Sequence, residues 1–167
     1  LSGDGSSRLF FDIKTETTSY FGVLPTKENT NKGMAEAHAA FNIGSHLKKR
    51  GLPVPKIHAF DPVSGFILFE NLGKTLLYDL LQENRKNSGE TFGQEVAELY
   101  KEIIETLLFM QISGSVRFDR KWCWDTQRYD KKLMLEKESG YFLQAFCRDL
   151  LGIKTFPDGL TDEFKLL

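Results

Sequence analysis

The chain opens on Gly3-Asp4-Gly5-Ser6-Ser7-Arg8, a run whose residue types suit an anion. Glycines let backbone N–H groups approach phosphate oxygens, and successive N–H groups can cup them. Gly3 and Gly5 have the first spacing of G-x-G-x-x-G, but Arg8 stands where the third glycine belongs. An aromatic strand follows where a dinucleotide fingerprint needs a helix, which excludes dinucleotide binding. The loop then admits two readings: an ordinary hairpin turn, which the loop alone favours, or a cover lying over phosphates.

The other reactive side chains form no recognisable constellation. His38, His46 and His58 lack metal-ligand spacing and read as surface or packing residues. His58-Ala59-Phe60-Asp61 has neither the register nor the later Asn of H-x-D-x-x-x-x-N, the motif that supplies a carboxylate base and a metal ligand in phosphoryl transfer. Cys123 and Cys147 make no disulfide framework and read as reduced thiols packed in a core.

Composition sets the bounds. A length of 167 residues suggests one domain, or one lobe of a larger fold. With 27% charged residues and a net charge of −1, the balance argues against nucleic acid or an anionic membrane as the main partner. No apolar run reaches membrane-spanning length and no signal-peptide pattern is visible, so a cytoplasmic location is expected. Leu1-Ser2-Gly3 reads as a strand end entering a turn, so the natural protein is expected to start earlier.

The elements that must position these residues follow from periodicity and turn chemistry. Leu9–Lys14 and Thr18–Leu24 read as an antiparallel hairpin, the second strand stopped by Pro25. A helix is expected from Lys32 to Arg50, with Ala37, Phe41, Gly44 and Leu47 on one face and Gly51 as its αL cap. Lys56–Phe60 and Phe66–Phe69 read as strands joined by the turn Asp61–Gly65. Beyond Glu70-Asn71-Leu72-Gly73 the pattern turns helical: Lys74–Arg85, Phe92–Ile112 and Tyr129–Leu151, with residues 113–128 irregular and the last fifteen a loop. The longest helix should bury Val96, Leu99, Tyr100, Ile103, Ile104, Leu107, Leu108 and Gln111. Strands first and helices later predict an α+β fold in two unequal parts.

The Gly3–Phe11 opening, the stretch Gly51-Leu52-Pro53-Val54-Pro55 and the run Gly65-Phe66-Ile67-Leu68-Phe69-Glu70-Asn71-Leu72-Gly73 occur in the order of three family patterns. These are G-D-x-S-x-R-x-[YF]-[YF], G-[LV]-x-V-P and G-x-[IL]-L-x-E/D-x-[LG]-G. The series resembles the aminoglycoside phosphotransferase family, and within it the branch of N-acetylmuramate and related amino-sugar kinases. Tyr129-Asp130 with Glu136 or Glu138 ahead of an aromatic-rich helix is similar to an inserted helix of that branch, so the resemblance covers residues 1–152.

The resemblance implies a protein-kinase-like fold: a small antiparallel β-sheet lobe with one helix (residues 1–69), a hinge (70–73) and the first part of a helical lobe (74–167). It implies ATP between the lobes, with Gly3, Asp4, Gly5, Ser6, Ser7 and Arg8 over the phosphates and Phe10 above the adenine. Phe69, Glu70, Asn71 and Leu72 would form the hinge and hold the adenine edge by backbone; the Glu70 side chain reads as a solvated linker group. Kinases carry a strand lysine paired with a helix glutamate. Here that strand ends Gly22-Val23-Leu24-Pro25, so Lys27 or Arg8 is left to meet phosphate. Glu36 is the candidate helix carboxylate, although a solvated helix-face role is the commoner one for such a residue. No catalytic motif is present in the sequence. The implied protein is the N-terminal part of an ATP-dependent phosphotransferase acting on a small alcohol or sugar, its Mg²⁺ ligands lying beyond Leu167. The alternative is a non-catalytic nucleotide-binding or regulatory module.

Overall fold

A computed structural model describes residues 8–25, 30–88 and 93–166. The fold is α+β, with a four-stranded sheet ordered β1-β2-β4-β3 and every neighbouring pair antiparallel. Two compact units divide the chain, Leu1–Trp124 and Asp125–Leu167.

In the first unit, β1 (Leu9–Lys14) and β2 (Ser19–Leu24) form the expected hairpin. Its turn is closed at Thr15, whose N–H donates to Thr18 O at 2.8 Å and whose Oγ1 accepts from Thr18 N–H at 3.0 Å. Strand β4 (Ile67–Glu70) pairs with β2, setting Phe21 opposite Phe69 and Val23 opposite Ile67. Strand β3 (Ile57–Phe60) closes the other edge, with a bulge between Ile57 and Ala59. Paired residues share a face, so Phe10, Phe21, Val23, Ile67 and Phe69 stand on one side of the sheet.

Helix α1 (Thr30–Lys49) packs on that side. Its expected face meets partners: Phe41 stacks on Phe60 at 4.5 Å, and Ile57 Cδ1 comes within 3.1 Å of where a Gly44 Cβ would stand. The helix ends where Gly51 takes φ +83°. Gly51 N–H donates to Lys48 O and Leu52 N–H to Leu47 O, the paired bonds of a Schellman cap, and Leu52 is buried.

The Asp61–Gly65 turn between β3 and β4 is organised by one carboxylate. Asp61 accepts from the N–H groups of Val63 and Ser64 and from Ser64 Oγ. These bonds, the Ser64 hydroxyl first, lower its pKa from the ordinary aspartate value. The stabilisation is therefore present above the ordinary carboxylate value and is lost as pH falls through the depressed one. Thermal melts from pH 6 to pH 3 should show this acid-side loss in the wild type and a shallower one in Asp61→Asn.

Helix α2 (Leu77–Ser88) begins later than the periodicity suggests. Gly73 adopts φ +88°, and the Asp79 carboxylate reaches back to the Leu76 N–H at 3.2 Å, the reciprocal half of a capping box. Helix α3 (Gln94–Ser115) runs three residues past its expected end, into the segment expected to be irregular; a start at Phe92 lies outside the described residues. Its apolar stripe is only partly covered. Val96 is buried, whereas Ile104 is 62% exposed and Leu108 55%. Periodicity shows which residues share a face but does not supply the surface that would cover them. The α3 C-terminal end packs on α1: His46 Nε2–H donates to Gly114 O at 2.8 Å and Arg50 Nε–H to Ser113 O at 3.0 Å. Phe118 and Trp122, the latter in a 3₁₀ turn at Arg120–Trp122, pack their rings against His46.

In the second unit the expected helix starts at Lys131, capped by the Asp130 carboxylate on Leu133 N–H. It passes into π-wound stretches at Met134–Ser139 and Phe142–Leu150, a winding that α-periodicity does not anticipate, and Gly152 ends it at φ +69°. Tyr129 donates its hydroxyl proton to Glu138 Oε1; this bond, ahead of desolvation and the glutamate charge, raises the phenol pKa. The final segment is not wholly loop, because Leu160–Leu166 forms a short helix after Gly159 at φ +87°. Among the described residues no helix is long and apolar enough to cross a membrane.

Candidate functional site

Two adjoining cavities lie on the α1 side of the sheet. The first has a volume of about 330 Å³ and is walled by Phe21, Val23, Pro55 and Phe69, with Glu70, Asn71, Leu72 and Gly73 along its rim. Strand alternation explains the wall: Phe21 and Val23 are two apart on β2, and Phe69 is the cross-strand partner of Phe21. Phe69, Glu70, Asn71 and Leu72, assigned to a hinge from sequence, are thus gathered at one opening. Phe10 stands one ring back, stacked on Phe21 at 5.8 Å, so Phe21 takes the wall position expected of Phe10.

The rim has a defined backbone. Asn71 Oδ1 accepts from Gly73 N–H at 2.9 Å, and Asn71 Nδ2 donates to Asp12 Oδ1 at 3.3 Å. The first bond makes a local turn and the second ties that turn to β1. Among the described residues the Leu72 N–H and C=O enter no hydrogen bond. A backbone donor and acceptor left unengaged among the described residues at the mouth of an apolar slot can hold a planar heterocycle by its edge.

Glu70 departs from expectation. Its carboxylate is not a free linker group: Oε2 accepts from Lys56 N–H at 2.9 Å and lies 3.8 Å from Lys48 Nζ. The Lys56 bond, before the Lys48 charge, lowers its pKa from the ordinary glutamate value.

The second cavity, of about 60 Å³, shares Val23 and Phe69 with the first and is also lined by Arg8, Pro25, Glu36, Gly65 and Ile67. Arg8 and Glu36, singled out separately in the sequence, are therefore brought to one space. The Arg8 guanidinium lies 5.8 Å from the Phe10 ring centroid, and Glu36 pairs with Lys32 at 3.8 Å. Gly3, Asp4, Gly5, Ser6, Ser7 and Lys27 lie outside the described residues. Among the described residues no three His, Cys, Asp or Glu side chains gather where they could hold a metal ion.

Sequence reasoning missed Phe21, Val23 and Pro55. The period-2 pattern carried the signal for the first two, because residues paired with Phe10 and Phe69 share their face. Nothing local to Pro55 announces its place in a wall.

No protein-family model matches the chain, and no curated protein matches it in sequence.

Proposed function

We propose that the chain carries the nucleotide-holding part of an ATP-dependent small-molecule phosphotransferase with a protein-kinase-like fold, residues 1–69 forming the sheet lobe, 70–73 the hinge and 74–167 the start of a helical lobe. The observation that carries this reading is the apolar slot of Phe21, Val23, Pro55 and Phe69 opening on the Leu72 backbone, which makes no hydrogen bond among the described residues. An adenine ring fits such a slot chemically: its faces are apolar, and its edge offers an amino donor beside a ring-nitrogen acceptor. The slot adjoins the cavity of Arg8 and Glu36, where positive charge would meet the phosphates.

In this reading the chain binds and orients the nucleotide, and its apolar walls exclude water from the base. Transfer moves the γ-phosphoryl group from ATP to an acceptor hydroxyl, whose proton passes to a carboxylate base, with Mg²⁺ offsetting charge on the phosphates. The base and the metal ligands are assigned to residues outside this sequence, which contains no H-x-D-x-x-x-x-N. That same lack is what favours the second reading, a module that binds nucleotide and regulates.

Titrating the chain with adenosine and with ATP–Mg²⁺ should shift amide signals of Phe21, Val23 and Phe69–Gly73. Phe21→Ala should weaken adenosine by roughly tenfold, from the loss of about 1–3 kcal/mol of base–aromatic stacking. Signals that move only elsewhere would sink the reading. Incubated with ATP–Mg²⁺ and amino sugars, the 167-residue chain should form no phosphorylated product. Robust transfer would overturn the assignment of catalysis to outside residues.

A further inference from the structure

The Val54-Pro55-Lys56 segment is held to the sheet in an unusual way. Pro55 has no N–H, so the backbone here can offer fewer ladder bonds than other segments. Two charged side chains grip the polar atoms on either side of it. Lys48 Nζ donates to Val54 O at 2.8 Å, and Glu70 Oε2 accepts from Lys56 N–H at 2.9 Å. The two charges lie 3.8 Å apart, and Glu70 N–H also donates to Lys56 O at 2.8 Å. Glu70 thus binds both polar backbone atoms of Lys56, one through its side chain and one through its own backbone. The residue clamped between these contacts, Pro55, is a wall of the 330 Å³ cavity.

We infer that Glu70 is a positioning residue: with Lys48 it clamps the Val54–Lys56 segment and so sets how far the Pro55 wall stands from Phe21 and Phe69. The consequence for ligand binding rests on the nucleotide reading above; the clamp itself does not. Glu70 ends β4 at the rim of the slot, yet its carboxylate acts on the Pro55 wall, so slot width and the position of the rim are coupled through one side chain. The charged and titratable groups around it are Lys48 on α1, Lys56 and His58 at β3, and Tyr20 across the ladder on β2.

The test uses wild type, Glu70→Ala, Glu70→Gln and Lys48→Met, with adenosine as probe because it carries no titrating phosphate. Glu70→Ala should weaken adenosine by roughly fivefold, through loss of a charge-assisted bond at an exposed site. Glu70→Gln, which keeps an acceptor for Lys56 N–H, should recover most of that loss, and Lys48→Met should fall between. In the wild type the Lys56 amide-proton shift should titrate with a midpoint below the ordinary glutamate range, and Glu70→Gln should abolish the titration. A folded Glu70→Ala that binds adenosine like wild type would overturn the positioning role. A Lys56 amide insensitive to acid in the wild type would overturn the clamp. No adenosine binding by wild type, with the Lys56 titration intact, would instead reject the nucleotide reading and leave the clamp supported.

Discussion

Gly65→Ala should destabilise the first unit by about 3 kcal/mol, roughly 1 from a left-handed backbone and the rest from overpacking. Gly65 adopts φ +73° and is buried. A methyl group there would stand 2.8 Å from Met34 Sδ, 2.9 Å from Pro25 Cγ and 3.3 Å from Ala37 Cβ. The methionine end could swing away, but the proline ring and the helix cannot without moving α1 off the sheet. Because Gly65 also lines the Arg8–Glu36 cavity, ATP should lose more affinity than adenosine in this variant. Urea unfolding gives the first quantity and paired titrations the second. A midpoint within error of the wild type would show that α1 yields freely.

Ile67→Ala should cost about 3 kcal/mol by the cavity it leaves, lowering the melting temperature by about 10 °C. Ile67 is 2% exposed, the most deeply buried large side chain among the described residues. It sits on β4 between β2 and β3, opposite Val23 on one side and Phe60 on the other. Truncation therefore removes contacts to both neighbouring strands and to the α1 side at once. Ile67→Val, which keeps most of the volume, should cost about 1 kcal/mol. A small loss for Ile67→Ala would mean that the sheet collapses around the gap.

The sheet and α1 were legible in the sequence because each carries a local signal. Pro25 stops a strand, Asp61–Gly65 makes a turn, and Gly51 closes a helix in a conformation that suits glycine. The passage from β4 to α2 was legible as a change from strand pattern to helix pattern. What escaped depends on partners distant in sequence. Pro55 becomes a wall only because Lys48 and Glu70 clamp its neighbours, and nothing in the spacing of residues 48, 55 and 70 foretells that contact. The Glu70 side chain was misread for the same reason. On α3 the error ran the other way: Leu107 and Leu108 have the period of a buried stripe, yet they are 49% and 55% exposed. The π winding after Met134 also escaped, since apolar spacing in the sequence carries no signature of the wider turn.

The junction of α1 and α3 has a kinetic meaning. Helix α3 has no basic residue in its last turn, and beside the local bonds of Val116 N–H to Ser113 O and Phe118 N–H to Ser115 O its terminal carbonyls take two side-chain donors from the C-terminal end of α1 and the residue after it, His46 on Gly114 O and Arg50 on Ser113 O. A helix end whose carbonyls lack partners frays, and one facing a cation such as the Arg50 guanidinium is held by the dipole as well. The docking of α1 therefore steadies the last turn of α3 beyond what its local bonds provide. Amide protons near the α3 C-terminus should exchange with solvent in step with those of the α1 C-terminal turns rather than with the rest of α3, so that the two helix ends open and close as one cooperative unit.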